Sequence, residues 1–401
     1  MRILIVCTKY SLDADNPSML DELARALGAQ GHAVSVMVGD WSGAMRCSAE
    51  NKDSNGIEVF IKGPVEMGFG PPALRKAAKW SFTSARLLRR ALELRRTFEP
   101  DLVIGSSPAV TMLLPLLLLR LTSRARAFFI QWDFFPIHHV EIGKIKNPAM
   151  AWVLKKLENF MMRRFEVIGC MSPMNVAYLQ RHYRLNDQQR TMVLPIWSSF
   201  PPYTRADRTE MRRKYALPLD MPLFVFGGQL NVGRGIDDIL EVAELAYRRG
   251  VQCGFVFIGS GSAEEKIRSY IAMKRGSVFL LDGIPRSSYL TFLSACDVGI
   301  VSTVRGVSVP TFPSKTLDYL HARLPILASV EECTDFGDFI AGNGLGLSVP
   351  AGNIEAFVTA VEKFAGDGSK LEFPRGETLR QAIDRFYVSN VASQIVNQFQ
   401  S

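Results

Sequence analysis

The feature that most narrows the folds open to this chain is a rhythm. Short apolar runs of strand length alternate with longer segments of helical spacing from one end to the other. In the first half the runs are RILIVC, AVSVMV, IEVFIK, DLVIGS, AFFIQW and FEVIGCMS, and in the second half LFVFGG, CGFVFIGS, SVFLLDG, DVGIVS, LPILAS and LGLSVP. Such alternation predicts parallel sheets joined by crossover helices. Each half reads as its own doubly wound sheet.

At 401 residues and 47% hydrophobic content the chain supports two cores, since single cores stop growing near roughly 250 to 300 residues. The Pro-rich, polar segment LPIWSSFPPYTRADRTE, Leu194 to Glu210, reads as a linker and places the boundary near Ser199, giving domains over 1–199 and 200–379. Helical spacing of Leu379, Ile383, Phe386, Val391, Ile395 and Phe399 predicts a terminal helix over about 380–401 that packs back on the first domain. A charged fraction of 21% with a mean hydropathy of +0.08 excludes wholesale disorder.

The six cysteines are scattered, with no C-x-x-C pair and no His/Cys cluster at metal-ligand spacing, so neither a disulfide nor a structural zinc is expected. RILIVC begins one residue after Met1, leaving no room for a signal peptide, and export is not expected. The uncharged stretch Leu102 to Leu119 approaches membrane-span length, but Gly105, Ser106, Ser107, Pro108 and Pro115 favour a strand, a turn and a buried helix. The net charge of +8 is uneven: residues 1–200 hold 26 Lys/Arg against 17 Asp/Glu, and residues 201–401 hold 21 against 22. A basic first half suits an anionic membrane surface or a phosphate-bearing substrate.

Ligands of doubly wound sheets bind outside the carboxyl ends of the strands, so the strand-to-helix loops are where chemistry is sought. In TFPSKTLDYL, Pro313 and Ser314 are helix start signals, placing unpaired N–H groups and the mobile charge of Lys315 at one tip, a site for an anion. Asp318, one turn on, can accept two hydrogen bonds from a cis-diol, the role acids play toward ribose. A capped helix with a solvated acid and lysine is the plainer alternative. In LFVFGGQLNVGRGIDDIL, Gly227, Gly228, Gly233 and Gly235 let the backbone approach a ligand, and Arg234 suits bidentate phosphate contact, although glycines also make ordinary turns. The Gly259-Ser260-Gly261 turn, Gly283 and Arg286 occupy further strand-to-helix loops.

In this order, the glycine loop with its basic residue, FIGSG, DGIPRSSYLTFLSACDVGIVS, PSKTLDYLHARLPILAS and GLGLSVPAGNIEAFVTAVEKF, the segments covering most of 222–365 resemble the donor domain of GT-B glycosyltransferases. The likeness is to the large retaining family four, which includes bacterial capsule, O-antigen and exopolysaccharide enzymes. It implies an α/β fold of two Rossmann-like domains facing a cleft. It also implies that Asp318 binds the ribose, that Ser314, Thr316, Arg234 and Lys315 hold the diphosphate, and that Gly228, Gln229, Gly259 and Arg286 line the nucleotide site. The segment with Val309, Pro310 and Thr311 would face the donor sugar. Three positions depart from the family pattern. Pro310 replaces a glutamate usual eight positions before the ribose acid, that acid is Asp rather than Glu, and Gln229 stands where an arginine is common.

The first half resembles the family more weakly. QWDFFPIHHVEIGKI occupies the loop where family members place a cleft His or Asp beside the donor sugar, which makes Asp133, then His139, candidates, with His138 beside them. In SLDADNPSM, Asp13-Ala14-Asp15 matches the metal-holding D-x-D of GT-A transferases but lies in the wrong domain. No metal and no other cofactor is expected, and Asn16 and Ser18 are acceptor or phosphate candidates. Between Arg75 and Arg96 eight Lys/Arg stand against one acid, Glu93, with Arg86, Arg89, Arg90 and Arg96 on one helical face opposite Leu88 and Leu92. Such a face suits an anionic bilayer or is simply solvated. Nucleic acid is disfavoured for lack of an aromatic platform.

The resemblance implies transfer of a sugar from a nucleotide donor, UDP-linked by expectation, to a hydroxyl of a lipid-linked saccharide at the inner face of the cytoplasmic membrane. Arg234 and Lys315 would stabilise the leaving diphosphate, with Asp133 or His139 at the reacting centre. A sugar-nucleotide epimerase shares the two-domain body, and Pro310 makes a silent nucleotide-binding subunit conceivable. A nicotinamide enzyme is discounted because no G-x-G-x-x-G occurs.

Overall fold

Parallel strands covered by helices on both faces cannot alternate apolar and polar side chains, which is why the runs are continuously apolar. The computed structural model describes residues 1–401 except 14–15, 41–48, 54, 65–74, 76–78, 80–81, 232, 274–275, 368–372 and 401. The chain divides into two units, Met1–Ser199 with Phe386–Ser401, and Phe200–Arg385.

Among the described residues the first unit carries eight strands: β1 (Arg2–Cys7), β2 (Ala33–Gly39), β3 (Ala49–Lys52), β4 (Glu58–Lys62), β5 (Leu102–Ser106), β6 (Arg126–Gln131), β7 (Val167–Cys170) and β8 (Arg190–Val193). Their order is β3-β4-β2-β1-β5-β6-β7-β8, parallel throughout except that β3 runs antiparallel to β4. The second unit is wholly parallel: β9 (Leu223–Gln229), β10 (Gly254–Ser260), β11 (Ser277–Leu281), β12 (Val298–Ser302), β13 (Ile326–Val330) and β14 (Gly346–Pro350), in the order β11-β10-β9-β12-β13-β14. Winding reverses between β9 and β12, the switch point where doubly wound sheets open a crevice for ligands.

Tyr319 fixes what covers that point. Its hydroxyl accepts from Gly227 N (3.2 Å) and lies 3.0 Å from Val225 O and 3.2 Å from Ile300 O, so one side chain ties helix Lys315–His321 to both β9 and β12. Gly299 makes the room, because a Cβ there would stand 2.4 Å from the Tyr319 ring.

The terminal segment forms two helices where one was expected. Gly376–Ile383 stays with the second unit, and after a 3-10 turn Val388–Asn397 belongs to the first. Val391, Ala392 and Ile395 are fully buried in the core that holds Leu23 and Leu27. Leu102 to Leu119 becomes β5, the 3-10 turn Ala109–Met112 and most of helix Leu113–Thr122, and no helix among the described residues is long and apolar enough to cross a membrane.

The basic segment is described from Phe82 onward, apart from Arg75 and Lys79. Helix Leu88–Thr97 buries Ala91 and Leu94, while Leu92, expected on the inner side, is exposed. Arg90 pairs with Glu93 (2.8 Å) and lies over the Phe60 ring, and Arg95 donates to Thr122 O (3.0 Å). Arg86, Arg89 and Arg96 remain solvent-facing.

Candidate functional site

At the end of β9 the backbone turns through Gly228, with φ +103°, and exposed Gln229 into a loop that carries Arg234 outward. Gly235 closes this loop in the left-handed region, φ +61°, and caps helix Ile236–Arg248. A Cβ there would sit 2.1 Å from Ser302 Oγ and 2.5 Å from Thr303 O, so only glycine lets the loop press against the end of β12. Arg234 is thereby delivered beside helix Lys315–His321.

Lys315 opens that helix with its Nζ 3.1 Å from the centroid of the Phe226 ring, and among the described residues this buried ammonium has no hydrogen-bond acceptor. Burial first, then the charge of Arg234, push its pKa well below the ordinary lysine value. A shielded cation repelled by a second cation is an arrangement that an anion would stabilise. Asp318, one turn further, accepts from Arg286 Nε and Nη2, both at 3.2 Å and both to Oδ1. Oδ2 has no partner among the described residues. Burial raises the Asp318 pKa, against the opposing pull of Arg286. Arg234, Lys315, Asp318 and Arg286 are thus brought together over the switch point, with Gly259 at the neighbouring end of β10.

The helix tip is tighter than its start signals imply. Thr316 N donates to Pro313 O (3.2 Å) and Leu317 N to Ser314 O (3.0 Å), so these two amides face inward. The Thr316 side chain is fully buried with Oγ1 unpartnered among the described residues, while Ser314 is exposed. Val309 and Pro310 also pack inward, and the same loop exposes Arg305, Gly306 and Ser308.

Sequence reasoning overlooked Glu331. This buried acid follows β13, accepts from Thr311 N (2.8 Å) and the Thr311 hydroxyl through Oε1, and takes the Thr303 hydroxyl on Oε2. It ties both ends of the 303–311 loop to the sheet. The available signal was an acid directly after the predominantly apolar run ILASV, where no solvent face exists to explain it.

The candidates of the first unit follow the carboxyl ends of its strands. Asp133 is exposed after β6, its backbone held by Ser107 Oγ, which accepts from Asp133 N (3.0 Å), and by Gln131 Nε2, which donates to Asp133 O (2.7 Å). His138 and His139 are half-buried on helix Ile137–Glu141, the His139 ring 5.2 Å from that of Phe135. After β1, Asn16 Nδ2 donates to Asp13 Oδ2 (3.0 Å), while buried Asp21 accepts from Ser11 N, Ser18 N and Ser18 Oγ. Ala14 and Asp15 lie outside the described residues, among which no cluster of three or more His, Cys, Asp or Glu could hold a metal.

The sequence pattern described as Glycosyltransferase Family 4 matches residues 18–195, and that of Glycosyl transferases group 1 matches 207–377. Together they take in both units. The chain is a family 4 glycosyltransferase of GT-B fold. This glycosyltransferase is 24% identical over 281 residues to WbjE of Pseudomonas aeruginosa, named as a glycosyltransferase, with 67% of each chain covered. It is 23% identical, with 99% of each chain covered, to WcaI of Escherichia coli strain K12, assigned as a colanic acid biosynthesis glycosyl transferase. Among solved structures, HepE of Anabaena in complex with UDP superposes with a TM-score of 0.68 at 14% identity, covering 99% of each chain. Arg234, Lys315, Asp318 and Arg286, gathered over the β9–β12 switch point, all lie within the matched segment 207–377.

Proposed function

We propose that this glycosyltransferase takes a sugar from a UDP-linked donor and places it, with retention of configuration, on a hydroxyl of a lipid-linked saccharide in bacterial surface polysaccharide synthesis. The observation that carries the donor reading is the buried Lys315 ammonium, unpartnered among the described residues, beside Arg234 and one helical turn from the Asp318 carboxylate. A diphosphate supplies the missing negative charge and a ribose diol suits the carboxylate. WcaI's assignment to colanic acid synthesis and the UDP bound to HepE support the pathway and the base.

In this reading the bond from the anomeric carbon to the diphosphate breaks through an oxocarbenium-like state. Lys315 and Arg234 meet the charge that develops on the leaving oxygen, so no metal ion is required there. The acceptor oxygen bonds to the same carbon and its proton passes to the departing diphosphate oxygen. Asp133 and His139 remain the candidates at the sugar, and the basic first half is read as turned toward an anionic membrane from the cytoplasmic side.

Thermal melting with UDP, GDP, ADP and their sugars tests the donor, because a ligand that binds only the folded state raises its melting temperature. UDP and its sugars are expected to shift the transition most. No shift with any nucleotide would overturn the reading. Conversion of a UDP-sugar without an acceptor would instead indicate an epimerase, and binding without turnover on any saccharide a silent subunit.

A further inference from the structure

A second surface carries none of the donor-site candidates. Helix Pro148–Met162 shows water a stripe of apolar side chains: Met150, Val153 (47% exposed), Leu157 and Phe160 (41%), with Trp152 (63%) on its flank. At about 100° per residue Met150, Val153, Leu157 and Phe160 fall within roughly a quarter of the helix circumference. Spacing of this kind ordinarily marks the core face. Here the core face is the other one, where Glu158, Met161 and Met162 are buried.

Charge says what the outward face meets. Lys144 and Lys146 stand exposed just before the helix, Lys156 on its flank, and Arg163 and Arg164 just after it. Lys156 Nζ lies 5.4 Å from the Trp152 ring centroid and the Arg164 guanidinium 4.6 Å from that of Phe160, so cations sit directly over the exposed aromatics. From Lys144 to Arg164 the sole acid is Glu158, which is turned inward onto the amides of Ala109 (2.9 Å) and Val110 (3.0 Å). An apolar stripe with an indole at its border, framed by cations and free of outward acids, matches the boundary between acyl chains and anionic headgroups.

We propose that helix Pro148–Met162 lies in the surface of an anionic bilayer, with Met150, Val153, Leu157 and Phe160 reaching the acyl boundary, Trp152 at headgroup level, and the flanking lysines and arginines on lipid phosphates. This element is distinct from helix Leu88–Thr97, where Arg90 and Arg95 are engaged within the protein. The proposal extends the reading of a lipid-linked acceptor, and its test needs no turnover, so either can fail while the other stands.

The test uses the full chain with vesicles of phosphatidylglycerol and phosphatidylcholine in equal parts, against pure phosphatidylcholine. Co-sedimentation is expected with the anionic vesicles. It should weaken roughly tenfold in Trp152→Ser/Phe160→Ser, which withdraws two aromatic side chains from the interface, and also weaken in Lys156→Gln/Arg164→Gln. With brominated acyl chains, tryptophan fluorescence should be quenched in the native protein and largely spared in Trp152→Phe, a substitution that keeps the fold and the apolar stripe. Absence of vesicle binding, or binding and quenching indifferent to these changes, overturns the proposal. Self-association without lipid that Trp152→Ser/Phe160→Ser abolishes assigns the face to a second copy and overturns it equally.

Discussion

Lys315→Met separates binding from folding at the donor site. The native ammonium is buried over Phe226 with no acceptor among the described residues and with Arg234 repelling it. An ion held this way stabilises the complex and burdens the empty protein. Methionine keeps the length and apolar stem while removing charge. Losing a charge-assisted contact to diphosphate costs about 1.5–3 kcal/mol, a weakening of UDP of roughly ten- to a hundredfold. In the empty protein, relief from burying an unsatisfied polar group is worth about 1–3 kcal/mol, offset by about 0.5–2 kcal/mol from the lost cation–π contact. The net is a gain near 1 kcal/mol, or roughly 2–4 °C in the melting temperature of a domain of this size. Because the Lys315 pKa is depressed in the empty site and a diphosphate raises it again, UDP binding to the native protein should be accompanied by proton uptake and weaken as pH rises. Calorimetry in buffers of different ionisation enthalpy reads the uptake, and the variant should lose it. Unchanged UDP affinity together with a lowered melting temperature would refute the assignment of Lys315 to the anion site.

Two further outcomes follow from buried acids. Asp318→Ala should weaken UDP by about 1–3 kcal/mol and erase the preference for UDP over its 2′-deoxy analogue, since Oδ2 is the open acceptor; equal discrimination by both proteins in calorimetry would count against the ribose role. Burial pushes the Glu158 carboxyl up to about 7, with the amides of Ala109 and Val110 opposing. A carboxyl raised in the folded state contributes stability that is full below its ordinary value and is lost as pH climbs to about 7, on the order of 3 kcal/mol in all. Urea unfolding across that window should therefore show stability falling with pH, and Glu158→Gln should flatten the slope; an unaltered slope would place the titration elsewhere.

What could be read in advance follows from burial. All six strands of the second unit are legible as apolar runs because parallel strands between helix layers have no polar face. In the first unit β3, Ala49–Lys52, is a polar four-residue strand added antiparallel at the sheet margin, and β8, Arg190–Val193, is equally short at the other margin. Four residues that include polar ones carry no such run, whereas the marginal strands of the second unit, β11 and β14, are longer and mainly apolar. At the site, residue types and their loops were legible, but partners were not. The bonds of Arg286 to Asp318 and of Glu331 to Thr303 and Thr311 join residues far apart in sequence. The outward stripe of Pro148–Met162 shows the limit of periodicity: spacing defines a face, and only packing says which way it looks.

The return of helix Val388–Asn397 to the first unit has a consequence for how this chain is born. Val391, Ala392 and Ile395 close a core begun at β1, so the ribosome must finish everything from Phe200 to Arg385 before that core can be sealed. The unit translated first matures last, its flank over Leu23 and Leu27 left open and in need of shelter while its neighbour has all its strands in hand.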